Sequence, residues 1–324
     1  MKNFFLVLVI LAIIAAGVVE WGYAAFNAPG PAAKDGKETI AVINPGGSRS
    51  IAGSLKAAGV IERPEVFALG SRVFGHGGAL KAGEYAIPSR ASMRTIMEIL
   101  IAGHSIQHKV TVAEGLTSQM VYDIVKADDV LLGEAGAVPA EGSLLPETYL
   151  FQRGETRKAL IAKMKAAQKE VLDQLWESRA PNLPVKTKQE ALILASIVEK
   201  ETGIPSERPH IAAVFMNRLR IGMKLQSDPT IIYGITKGYP IGRRINRSEI
   251  DAATPYNTYV ITGLPPQPIC NPGKDAIAAV LNPIESKDLY FVANGTGGHV
   301  FAETVEAQNK NVAAWRKIHI GEGK

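Results

Sequence analysis

The chain opens with an unbroken apolar run from Phe4 to Val19, preceded by Lys2 and followed by Glu20, Trp21, Tyr23 and Phe26. No polar face recurs in the run, so it reads as a lipid-clad helix and not as the amphipathic helix of a soluble core. On its own it reaches about 24 Å, short of a hydrocarbon layer of about 30 Å unless residues past Glu20 join it. Bulky Val18, Val19 and Trp21 stand where a cleavage site wants small residues. We therefore expect an uncleaved transmembrane anchor over residues 1–26, lysine end inside, and a Pro/Gly/Ala-rich linker over 27–37.

Past the linker the pattern becomes that of a folded chain. Strands are expected at 39–43 and 84–87, with helices at 50–58, 64–72 and 92–101 stopped by Gly59 and Gly103. A strand at 107–112, a helix after Glu114-Gly115 and a loop-rich stretch from Gly133 to Gly154 follow. Leu160, Met164, Ala167, Val171 and Leu175 recur at helical spacing over 157–176. Thr187 and Glu190 form a capping box, and Gly203 with Pro205 ends the helix that begins there. The fold class is α+β, with a small unit at 38–104, a connecting segment at 105–155 and a larger domain at 156–324.

Composition narrows the chemistry. With 46% apolar and 21% charged residues, the exported part should fold in water, which excludes a disordered tail or a multi-span membrane protein. The net charge of +5 is spread without basic blocks, so no nucleic-acid partner is indicated. A lone Cys270 rules out disulfides within the chain and multi-cysteine metal sites, and its proline-rich context does not suit a thiol nucleophile. The histidines at 76, 104, 108, 210, 299 and 319 form no metal motif. His299 follows the turn GTGG and should start a hairpin strand. No metal and no organic cofactor is expected.

The helix from Thr187 to Thr202 carries the candidate chemistry. At 100° per residue Ala191, Leu194, Ile197 and Val198 share a face with Glu201, while Glu199 points the other way beside Lys188 and Ser196. A glutamate among apolar side chains, near the negative end of a helix dipole, has a raised pKa and can act as a proton donor. Periodicity alone leaves a second reading open: Glu201 frays into solvent or pairs with Arg208 or Arg218. Glu199 is the fallback acid if the register shifts.

The blocks LASIVEKETG (194–203), FMNRLRIGMKLQSDPTIIYG (215–234), TPYNTYVITGLPPQPICNPG (254–273) and YFVANGTGGHVFAET (290–304) closely resemble the endolytic murein transglycosylase family, the MltG or YceG-like proteins. LKAGEYAIP (80–88), VTVAEG (110–115) and EGSLLPETYLF (141–151) extend the likeness over nearly the whole exported chain. The resemblance implies a single-pass inner-membrane lyase with a LysM-like subdomain (placed at 38–104) and a YceG-like catalytic domain facing the periplasm. It implies internal cleavage of peptidoglycan glycan strands at the MurNAc–GlcNAc bond to leave 1,6-anhydroMurNAc ends, and association with peptidoglycan synthases. The glutamate before Thr in E-K-E-T carries over as Glu201, the general acid and then base.

Substrate-binding candidates are Gln226, Ser227 and Asp228 in the turn after Gly222, and Tyr256, Asn257 and Tyr259 in the Tyr-Asn-Thr-Tyr block. Amides and hydroxyls both donate to and accept from sugar groups, and aromatic rings pack on pyranose faces. Asp228 has an alternative duty as a cap on the turn at Pro229. Glu147 sits where the family usually carries aspartate, so its site role competes with a structural hydrogen bond. The rival functions are a non-catalytic peptidoglycan-binding scaffold and a hydrolytic muramidase.

Overall fold

The computed structural model describes residues 2–321, without the side chains of Lys2, Asn3 and 318–321. Met1 and 322–324, the outer ends of the expected anchor and C-terminal domain, and the His319 side chain therefore lie outside the described residues. The chain forms two compact units, 1–108 with 150–155, and 109–149 with 156–324. The expected connecting segment 105–155 is thus shared between them.

In the first unit α1 (Lys2–Asn27) runs straight through Glu20, so the apolar helix gains the length that the run from Phe4 to Val19 lacks. Then come β1 (Glu38–Ile43), α2 (Ser48–Ala57), α3 (Pro64–Val73), β2 (Gly83–Pro88) and α4 (Met93–Ala102), the expected strand, helix, helix, strand order with a third helix behind. β1 and β2 pair antiparallel, Ala41 opposite Tyr85. Ser92 caps α4, and Gly103 closes it in a left-handed conformation. Residues 27–37 differ from a free tether. Arg90, itself left-handed, accepts from Gly30 N (3.2 Å) and donates to Pro31 O (3.0 Å), and Ser89 Oγ accepts from Ala33 N (3.0 Å). The segment's unpaired backbone groups find partners on the unit's surface.

The second unit begins within β3 (Gln107–Thr111) and runs through α5 (Ser118–Ala127) into β4 (Thr148–Gln152), of which it holds Thr148 and Tyr149. β4 falls inside the stretch expected to be loop. Five residues carry too little pattern to announce a strand, and pairing with β3 supplies the ladder. α6 (Arg157–Glu177), α7 (Lys188–Glu201), α8 (Arg208–Arg220), α9 (Asp228–Thr236), α10 (Arg247–Ile250), α11 (Lys274–Leu281), the hairpin β5 (Tyr290–Ala293) and β6 (His299–Ala302), and α12 (Val305–Gly321) complete it.

The core is built around α7. Its capping box forms as expected, with Thr187 accepting from Glu190 N (3.1 Å). Residues 191–199 are all buried, against α8 and α11 among others. The side of α7 opposite the apolar face is covered as well: Ser196 Oγ accepts from Ile269 N (3.0 Å), and Cys270 is fully buried beside it. The proline-rich loop around 265–273 is what closes this side.

Candidate functional site

α7 ends on Glu201, and Thr202 follows in extended conformation. Glu201 is partly buried, and the Ser227 hydroxyl donates to its carboxyl group. Ser227, 1% exposed, is fixed by its neighbours: its N–H donates to Thr258 Oγ1 (2.9 Å), and its carbonyl accepts from Thr230 Oγ1 (2.6 Å). Gln226 enters this turn with φ of 51°, a left-handed backbone on a residue with a side chain, and its N–H donates to Thr258 O (3.1 Å). Beyond Ser227, exposed Asp228 accepts from the Tyr259 hydroxyl (2.7 Å). The side chain of Ser227 makes no cap on α9; it serves Glu201.

Burial lifts the Glu201 carboxyl from 4.5 to about 7, against the pull of the Ser227 hydrogen bond. The negative charge of Asp228 adds to the rise, and His299 and Arg218 oppose it. Arg218 is buried, donates to Leu289 O (2.7 Å) and Leu225 O, and forms no ion pair with Glu201 among the described residues. Burial and the Asp228 carboxylate hold the Tyr259 phenol above its ordinary value.

Other expected residues stand elsewhere. Glu199 is buried. It accepts from Arg208 (3.1 Å) and from Gly273 N (2.9 Å), and Arg208 also meets Glu114 (2.8 Å). It is Glu199, not Glu201, that pairs with Arg208. Tyr256 parts company with Tyr259: its ring lies 4.9 Å from that of Tyr233 and 5.2 Å from Lys237 Nζ, in a cluster where the Tyr233 hydroxyl donates to Glu141 (3.1 Å). Asn257, 1% exposed, donates to the carbonyls of Glu249, Ile250 and Ala252 and accepts from Tyr259 N (3.0 Å). Its amide braces the loop from within and offers nothing to a ligand. Glu147 is exposed at the start of β4, and its carboxylate accepts from Thr148 N (3.1 Å).

The structure adds a pair that sequence reasoning did not join. His299, first residue of β6 as expected, donates its N–H to Glu207 Oε1 (2.8 Å), and its Nδ1 meets Glu207 Oε2 (2.7 Å). The same Glu207 accepts from Thr202 Oγ1 (3.2 Å), next to Glu201. The turn GTGG pointed to His299 as a strand start, with lining the cleft as a lesser alternative. Nothing in the local pattern linked it to a carboxylate ninety-two residues earlier.

Among the described residues no cluster suited to a metal ion occurs. The geometry sets one carboxyl group of raised pKa at the C-terminal end of a buried helix in a mixed α and β protein.

The chain belongs to the YceG-like family, whose model matches residues 41–314. It is similar to the endolytic murein transglycosylase of Bacillus subtilis, 30% identical over 313 residues that make up 86% of each chain. It is also similar to the endolytic murein transglycosylase of Streptococcus pneumoniae, 39% identical over 180 residues, 53% of this chain and 32% of that protein. A yceG-like protein of known structure from Listeria monocytogenes has a TM-score of 0.51 and 28% identity, over 85% of this chain and 99% of that one.

Proposed function

We propose that the chain is an endolytic peptidoglycan transglycosylase in which Glu201 is the general acid and then the base. The observation that carries this reading is a carboxyl group raised to about 7 at the end of α7, beside Ser227 and Asp228. Near neutral pH such a group holds a proton to give. The Glu201 proton passes to the oxygen that bridges MurNAc and GlcNAc, and the MurNAc C1–O bond breaks. The C6 hydroxyl oxygen of the same MurNAc bonds to C1, and its proton returns to the Glu201 carboxylate. No water enters, and the product is a 1,6-anhydro end. The Asp228 carboxylate, steadied by Tyr259, faces the positive charge that develops on the sugar. Gln226, Asp228 and Tyr259 offer the accessible polar and aromatic contacts; Asn257 and Thr258 hold them in place. Glu199, engaged by Arg208 and Gly273 N, is the poorer acid.

The same reading takes α1 as a single-pass anchor in the inner membrane, the remaining chain as periplasmic, and the strand, helix, helix, strand unit as LysM-like and glycan-binding. Peptidoglycan synthases, which supply new strands, are the protein partners it implies.

Digestion of purified peptidoglycan by the whole chain, followed by mass spectrometry, tests the proposal. Ends about 18 Da lighter than a hydrolysed reducing end are expected, since loss of one water separates the two products. Hydrolysed ends identify a muramidase, with Asp228 positioning water. Full cleavage by Glu201→Gln refutes the assignment of the acid, and glycan binding without any cleavage by the unaltered chain indicates a scaffold.

A further inference from the structure

α3 turns Phe67, Ala68 and Ser71 inward, packs Val66 against the same core and leaves Leu69 and Val73 as an outward apolar pair at i and i+4, 65% and 73% exposed. A helix in water reserves that spacing for its core. Here the pair lies on one wall of an open groove of about 300 Å³ whose other wall is α1 from Val18 to Phe26. Gly70 permits the close approach, because a Cβ there would stand 2.6 Å from the Phe26 ring. Phe26 is 1% exposed, with its ring 6.3 Å from Phe67 and 5.4 Å from Phe74. Asn27 Oδ1 then accepts from Arg94 (2.6 Å). The apolar helix therefore ends inside the unit's own core, with no flexible joint.

Depth follows from helix geometry. At 1.5 Å per residue Val18 lies about 21 Å and Phe26 about 33 Å along the axis from Phe4, so a hydrocarbon layer of about 30 Å starting at Phe4 ends near residue 24. A helix packed beside Val18 to Phe26 stands at the outer border of that layer. Trp21 and Tyr23, both exposed, occupy the level that aromatic side chains favour. Cations gather there too: Arg63 lies 5.3 Å from the Trp21 ring and Arg94 4.5 Å from that of Phe74. Arg49 and Arg72, outnumbering Glu65, line a second groove beside Leu69.

We propose that α3 is seated in the membrane: Leu69 and Val73 enter the acyl border of the bilayer that α1 spans, and Arg49, Arg63 and Arg72 meet the phosphates of anionic lipid. The proposal rests on α1 crossing a bilayer, and the experiment separates the two. The full-length chain is placed in nanodiscs of phosphatidylethanolamine and phosphatidylglycerol, with a spin label on a cysteine introduced by Val73→Cys, Ile10→Cys or Glu98→Cys. Cys270 is fully buried, so the label reports the introduced position. All three sites are exposed, which leaves the packing of the unit intact. The accessibility to oxygen relative to a water-soluble nickel chelate is expected to be severalfold higher at Val73 than at Glu98, and highest at Ile10. A label at Val73 as open to the chelate as one at Glu98, with Ile10 in lipid, overturns the seating and keeps the anchor. A chelate-accessible Ile10 removes the anchor and the seating together.

Discussion

Replacing Glu201 by glutamine should abolish cleavage and at the same time make the protein more stable in alkali. The unfolded chain releases this proton near 4.5, whereas the folded chain keeps it to about 7. Between those values the folded state binds more protons than the unfolded one, so the contribution of Glu201 is fully present below about pH 4.5, falls as pH rises and is gone above about 7 to 8. At about 1.4 kcal/mol per unit, and allowing for the partial exposure of the side chain, the loss is about 2 to 3 kcal/mol. A glutamine side chain cannot ionise, and its amide oxygen still accepts from Ser227, so the variant escapes that loss. Urea denaturation of both proteins, followed by the fluorescence of Trp176 against the core of the second unit, measures the difference across pH. Near pH 4 the two should agree. Near pH 8.5 the glutamine variant should lead by about 2 kcal/mol or more. A difference that stays the same at both ends would mean that the carboxyl group is not held neutral by its surroundings, and the case for Glu201 as acid would fail with it.

Cleavage itself should fall as pH rises through about 7, as the proton is lost from Glu201, and pH–rate profiles of kcat/KM check this. Tyr259→Phe removes the donor to Asp228 and should lower kcat about tenfold or more with little change in KM, the worth of one hydrogen bond to a charged group; unchanged turnover would remove Tyr259 from the machinery. Arg208→Leu leaves Glu199 buried without its cation and should cost about 3 to 5 kcal/mol in thermal denaturation, much of it recovered by adding Glu199→Gln.

What the sequence disclosed was whatever local chemistry decides. The capping box at Thr187 and Glu190 lies within one helical turn, and so does the stop at Gly203 and Pro205; both ends of α7 could be read directly. Periodicity put Glu201 on the apolar face of α7 but left fraying into solvent open, because Ser227, which donates to it, comes twenty-six residues later. Glu199 was harder, because the loop that buries it arrives seventy-four residues later, at Gly273. Asn257 looked like a sugar contact by residue type, yet its role depends on three carbonyls that curl around it only in the folded loop. Arg90 fastening Gly30 and Pro31, with Ser89 holding Ala33, escapes any window, since the proline-rich composition of the segment describes its own stiffness and not its neighbour.

The turn at Gln226 has a consequence for engineering. Holding an L-amino acid with φ of 51° costs about 1 to 2 kcal/mol that glycine would not incur. Gln226→Gly would therefore give a sturdier molecule, one that anybody screening for heat tolerance would pick. Such a screen, blind to activity, would discard the exposed amide beside Ser227, one of the contacts that the proposed function assigns to the glycan.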